Sequence, residues 1–160
     1  ELTFKLGSKI LIRSKKVNNF NKAVELQKSV LKNGKALKKF KTLIQNQGGD
    51  IDKYMKENTP NFEKNILSNK NGIIKNFNTE KIGWSLVELG CGYKHKNSKL
   101  DYSAGIQFFK KIGDSVKKGE KIYKIFNSNK EKIENASKYL KGTYTLTDKE
   151  LNFKLILDEL

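Results

Sequence analysis

Most of the side chains here that could do chemistry fall between Glu88 and Asp114. Gly90-Cys91-Gly92 has the look of a loop that offers backbone N–H groups to a phosphate. Such loops need their glycines ahead of a helix, where free N–H groups and the positive end of the dipole meet the anion. Here the glycines follow the apolar run Ile82–Leu89, so the spacing predicts a glycine-terminated helix instead. Cys91 is a thiol that Lys94 and Lys96 would activate if they lay close; a small residue between two glycines at a packed helix end explains it as well. His95 is the only histidine and sits in Lys94-His95-Lys96, without the further ligands or nucleophile that a metal site or a nucleophilic pair needs. Glu88, Asp101 and Asp114 are separated by turns and form no paired-carboxylate set. Asp114 after Gly113 suits a tight turn. No serine stands in a GxSxG setting and no Walker-type glycine–lysine loop occurs. The sequence therefore assigns no catalytic, cofactor-binding or metal-ligating residue to this chain.

The elements around these residues can be read from periodicity. Residues 1–14 predict a helix on Leu2, Leu6 and Ile10, with Gly7 inside it at a cost of roughly 1 kcal/mol against alanine, so a close contact is expected there. After the polar break Lys15–Asn21, with Asn19 or Asn21 as cap, Lys22–Asn33 predicts a second helix ending at Gly34. A third runs from Lys35 to the stop at Gly48-Gly49, and Asp50 caps a short fourth ending before Thr59-Pro60. After Pro60, the only proline, the texture changes. Lys64–Ser68 and Gly72–Phe77 read as strands, and Asn78 or Thr79 caps a helix to Leu89. Ala104–Phe109, Ser115–Val116 and Lys121–Phe126 are strands between turns at Gly113-Asp114 and Gly119-Glu120. Lys130–Leu140 is a further helix, and Gly142–Thr147 with Leu151–Leu157 a closing hairpin. The expected fold class is α+β: a helical segment over residues 1–58, then a compact domain over 59–160 with a mostly antiparallel sheet.

Bulk properties narrow the partners. The 160 residues carry a net charge of +16, which would draw a nucleic-acid backbone. Of the 33 basic residues, however, Arg13 is the only arginine. Bidentate phosphate and base recognition favours arginine, whereas dispersed lysine solubilises a surface. Lysine, asparagine and isoleucine would also rise together under an AT-rich coding bias, so no nucleic-acid partner is expected. No apolar run approaches the roughly 20 residues that span a bilayer, no signal peptide is present and the lone Cys91 fits a reducing compartment, so no membrane contact and a cytoplasmic location are expected. The chain begins at Glu1 and its only methionine is Met55, from which a fragment of a longer protein is expected.

Two strings carry a family resemblance. NGKALKKFKTLIQNQGGD, residues 33–50, is similar to a segment of the form sGkAlekF…aQGGD. KIGWSLVELGCGYKHKNSKLDYSAGIQFFKKIGDSVKKGEKIYKIF, residues 81–126, is similar to iG…LGaGR…iD…Gi…Gd.V.kGe…i, with Gly83, Gly90, Gly92, Asp101, Gly105, Gly113, Asp114, Val116 and Gly119 at the expected spacing. Together they resemble the C-terminal portion of the pyrimidine-nucleoside and thymidine phosphorylases. The chain departs from that pattern at Cys91 and at Tyr93, where the family commonly has alanine and arginine; Lys94 or Lys96 would stand in for the lost cation.

The resemblance implies reversible phosphorolysis, in which phosphate attacks the anomeric carbon of a pyrimidine nucleoside to give free base and pentose 1-phosphate. It implies phosphate as a co-substrate with no cofactor, and a homodimeric full-length enzyme. It places nucleoside and phosphate binding in an N-terminal part that this chain lacks, so residues 1–58 would be the final helices of a central α/β domain and the chain alone would be inactive. Residues 105–126 also resemble lipoyl and biotinyl domains, which implies a barrel-sandwich-like sheet; no modifiable lysine stands at a matching hairpin tip. A basic nucleic-acid-binding module and a lipoyl-like carrier or interaction domain are the alternatives.

Overall fold

The computed structural model describes residues 1–151 and Ile156. The described chain divides into two compact units, residues 1–56 and residues 57–151. In the first, α1 (Leu2–Arg13), α2 (Phe20–Lys32), α3 (Lys35–Asn46) and α4 (Ile51–Glu57) follow one another. Asn19 is the cap of α2, accepting the Lys22 N–H at 2.9 Å, and α2 starts two residues before the expected Lys22. Gly34, at φ 76°, ends the α2 turn and opens α3. Asp50 accepts the N–H groups of Asp52 and Lys53 and so caps α4 as its position predicts.

Gly7 leaves room for a close contact from α2. A Cβ there would lie 2.1 Å from Gln27 Oε1. The two hydrogens of the Gln27 amide nitrogen are shared among Phe4 O, Ser8 Oγ and Ala23 O at 2.9–3.1 Å, so one side chain ties α1 to α2. Ser8 and Ala23 are fully buried at this crossing, small enough to let the helices approach. Several other apolar positions of these helices stay open: Leu2, Leu6 and Ile10 on α1 are 43%, 56% and 68% exposed, and α3 buries no residue.

The second unit is α+β. It contains β1 (Phe62–Leu67), β2 (Gly72–Phe77), α5 (Thr79–Leu89), β3 (Gly105–Phe108), β4 (Ser115–Val116), β5 (Lys121–Asn127), α6 (Lys130–Tyr139) and β6 (Tyr144–Thr147). The strands form two three-stranded sheets, β1-β5-β3 and β4-β2-β6, antiparallel throughout. Among the described residues neither sheet closes into a barrel; the hairpin expected from Leu151–Leu157 lies outside them. Central β5 is buried almost continuously, whereas edge strand β1 is mostly exposed, as position in a sheet dictates. Gly105 faces Phe126 across the β3–β5 ladder, and a Cβ there would lie 2.7 Å from the Phe126 ring.

Ile74, Leu89, Ile122, Tyr123, Ile125 and Leu140 are fully buried at the centre of this unit. Tyr123 is edge-on to Phe108 at a centroid distance of 5.0 Å and to Tyr144 at 6.4 Å. Its hydroxyl meets Thr143 Oγ1 at 3.2 Å; because Thr143 donates to Leu140 O, Tyr123 is the donor of that pair. Burial pushes the Tyr123 phenol up to about 12.

Candidate functional site

Of the polar residues singled out in the sequence, Glu88, Cys91, Lys94, His95 and Asp101 lie around the C-terminal end of α5. The Gly90 N–H donates to Val87 O and the Cys91 N–H to Leu86 O, with Gly90 left-handed at φ 86°. This pair of bonds closes a helix on its glycine, so Gly90-Cys91-Gly92 ends a helix and does not begin one. Two further bonds satisfy the exposed carbonyls: Asn127, fully buried, donates its side-chain amide to Leu89 O, and the Asp101 N–H donates to Gly90 O at 2.9 Å.

Asp101 is the knot of the site. One carboxylate oxygen accepts from the Ser103 N–H at 2.9 Å and the Ser103 hydroxyl at 2.6 Å. The other accepts from the N–H and hydroxyl of Ser128, at the junction of β5 and α6. Burial works to raise the Asp101 pKa, but these four donors outweigh it and hold the carboxyl below the usual range. Asn127 and Asn129 complete the junction: Asn127 Oδ1 accepts the Asn129 N–H, and the Asn129 side chain caps α6 by accepting from Glu131 and Lys132 N–H. Asp101 thus fastens three segments together, a positional task that occupies both its oxygens.

Cys91 is exposed as a residue, yet partial burial of the thiol, helped by the Asp101 charge, pushes its pKa up. The cation that opposes this is Lys132 on α6, and neither Lys94 nor Lys96 contributes; the activation those two lysines would have given does not occur. Lys94 instead bonds Glu88 at 2.6 Å, and this contact raises the Lys94 pKa. A cation does therefore reach the end of α5 despite Tyr93, whose side chain is exposed. His95 is exposed, and its backbone makes a turn with Ser98. No group of three metal-ligating side chains forms among the described residues. Asp114 lies in the other turn cluster, accepting the Lys111 N–H at 2.7 Å. Glu120 does the same for Lys117 and pairs with Lys110, which lowers its pKa.

Between the end of α5, the loop after it and α6 lies a cleft of about 300 Å³, lined among others by Glu88, Gly90, Lys94, His95, Lys99 and Lys132. Lys132 and Lys99 were not singled out from the sequence. Lys132 is 42 positions from Gly90 along the chain, so nothing local in the sequence marks the pairing. The only local signal at the α6 end is the polar run Asn127-Ser128-Asn129 ahead of a helix.

The frame of this site, strand–helix–glycine stop–Asp101 turn–Gly113-Asp114 turn, spans the segment that a family model recognises. Residues 73–147 match the model described as Pyrimidine nucleoside phosphorylase C-terminal domain. The chain carries that domain. It is similar to the pyrimidine-nucleoside phosphorylase of Staphylococcus haemolyticus, at 34% identity over 143 residues, 88% of this chain and 33% of the relative. The Bacillus subtilis protein of the same name is 33% identical over 84% of this chain and 31% of its own length. That of Staphylococcus aureus strain USA300 is 32% identical over 98% of this chain and 36% of its own. The chain thus spans about a third of the length of the curated relatives it matches. Within the domain, the glycine-ended α5 and the Asp101 knot tie the loop after α5 to the start of α6. Among the described residues no helix is long and apolar enough to cross a membrane.

Proposed function

We infer that the chain is the C-terminal portion of a pyrimidine-nucleoside phosphorylase, an enzyme that exchanges the base of a pyrimidine nucleoside for phosphate. The observation that carries this reading is the near end-to-end match to three relatives of that name, each about three times longer. On this reading residues 1–58 are the last helices of a central α/β domain and 59–160 its C-terminal domain. The open apolar stripe Leu2, Leu6 and Ile10 suits a helix that packs against further chain. The contribution of this portion is support: Asp101 spends its carboxylate on Ser103 and Ser128, Cys91 is held as a thiol, and no residue here is catalytic. Phosphate is a co-substrate, no cofactor takes part, and the whole enzyme is a cytoplasmic homodimer that binds its reacting nucleoside and phosphate outside this chain.

Phosphorolysis requires phosphate and nucleoside positioned together, so the chain alone is inactive. The test is phosphate-dependent release of uracil from uridine and thymine from thymidine. The 160-residue chain and the full product of its gene would be compared, both made in a host without phosphorylases of its own. Activity in the longer protein only is the expected result. Turnover by the short chain, or by neither protein, would sink the reading.

A further inference from the structure

We propose that the cleft at the end of α5 binds a small phosphate-bearing dianion. Three lysines line it, Lys94, Lys99 and Lys132, against one carboxylate, Glu88. Glu88 is committed to Lys94 at 2.6 Å, whereas Lys99 and Lys132 have no hydrogen-bond or ion-pair partner among the described residues. Three lysines against Glu88 give the lining a net excess of two positive charges, the complement of a phosphate monoester, with the Asp101 carboxylate behind the cleft beside Gly90. The Lys132 ammonium is held against the helix end, 2.8 Å from where a Cβ on Gly90 would be. Glycine there and at Gly92 leaves the cleft wall as bare backbone, and the Gly92 N–H has no acceptor among the described residues.

The C-terminal end of α5 would repel an anion if its carbonyls were bare. They are largely occupied: Leu86 O and Val87 O by the turn, Leu89 O by Asn127 and Gly90 O by Asp101. A volume of about 300 Å³ is at the lower edge of the range for small-molecule sites, roughly 300–1,000 Å³. That admits a phosphate or a pentose phosphate and excludes a duplex.

Titrating the ¹⁵N-labelled chain with inorganic phosphate, and separately with a pentose phosphate, at constant ionic strength tests this. Saturating amide shifts confined to residues 90–99 and the first turns of α6 are expected. Tighter binding of the pentose phosphate assigns the ester, and equal binding assigns free phosphate. The double variant Lys99→Gln/Lys132→Gln should weaken binding by about tenfold or more. Lys132→Arg should retain it, and Lys117→Gln/Lys118→Gln, in the turn before β5, should leave it unchanged. Lys99→Gln alone, in an exposed loop, covers the case in which the α6 variant does not fold. Shifts that spread over the lysine-bearing surface without saturating, or unchanged binding in the charge-removing variants, would overturn the proposal.

Discussion

Asp101 illustrates how a reactive group can be spent on architecture. Its four donors come from Ser103, two residues on, and Ser128, 27 residues on. Replacing it with asparagine removes the charge that strengthens those bonds and offers an amide where an acceptor is needed. The expected loss is about 1–2 kcal/mol, below the range for fully buried charged bonds because the carboxylate is partly solvated. The sign with pH follows from the depressed folded pKa. The contribution is present above the unfolded value of about 3.9 and disappears as pH falls through the lower folded value. Urea midpoints of the chain and of Asp101→Asn should therefore differ at pH 7 and converge as the pH falls below the unfolded value; a constant difference would show that the loss is steric.

Helix α1 is where propensity and packing disagree. Gly7→Ala should raise helix stability by roughly 1 kcal/mol on propensity alone. The added Cβ, 2.1 Å from Gln27 Oε1, would instead displace an amide that makes two hydrogen bonds from α2 to α1, to Phe4 O and Ser8 Oγ. Each is worth about 0.5–1.5 kcal/mol net, so together they outweigh the propensity gain and a net loss of about 1 kcal/mol is expected in thermal or urea unfolding. In the Gln27→Ala background the same Gly7→Ala change should become stabilising. Gly7→Ala stabilising the unaltered chain would refute the role assigned to Gln27. Element positions themselves were legible from periodicity and caps: Asn19, Gly34, Asp50, Asn78 and Gly90 act at the ends where their types predict. The partner that Gly7 makes room for was not, because Gln27 sits on another helix and a glutamine has no signature for where its amide ends up.

The two units differ in how much of their apolar surface they bury. From Glu57 on, Ile74, Leu89, Tyr123 and Leu140 are enclosed by sheets and helices of that unit alone. A chain beginning at Glu57 should therefore keep a cooperative melt and the near-ultraviolet dichroism of the packed Tyr123 cluster. Loss of that signal on removing residues 1–56 would show that this core depends on the first unit. The first unit leaves Leu2, Leu6, Ile10, Leu37 and Leu43 open. Dispersed lysine offsets this exposure for solubility, the use that the near-absence of arginine already suggested.

The sequence alone determined the order of helices and strands, the glycine and asparagine positions that end them, and the resemblance carried by residues 33–50 and 81–126. These are local properties, since backbone periodicity, capping and left-handed turns depend on residues within a few positions of one another. Tertiary structure decided which strands pair, as β1-β5-β3 and β4-β2-β6, and which cation faces Cys91. It also decided that Asp101 holds Ser128 and that Lys132 lies against Gly90. The last two contacts join residues 27 and 42 positions apart, the strand pairs join residues as far apart as Ile73 and Thr147, and no period along the chain encodes them. They follow only when hydrophobic burial of β5 between its neighbours brings the end of α5 and the start of α6 to the same place.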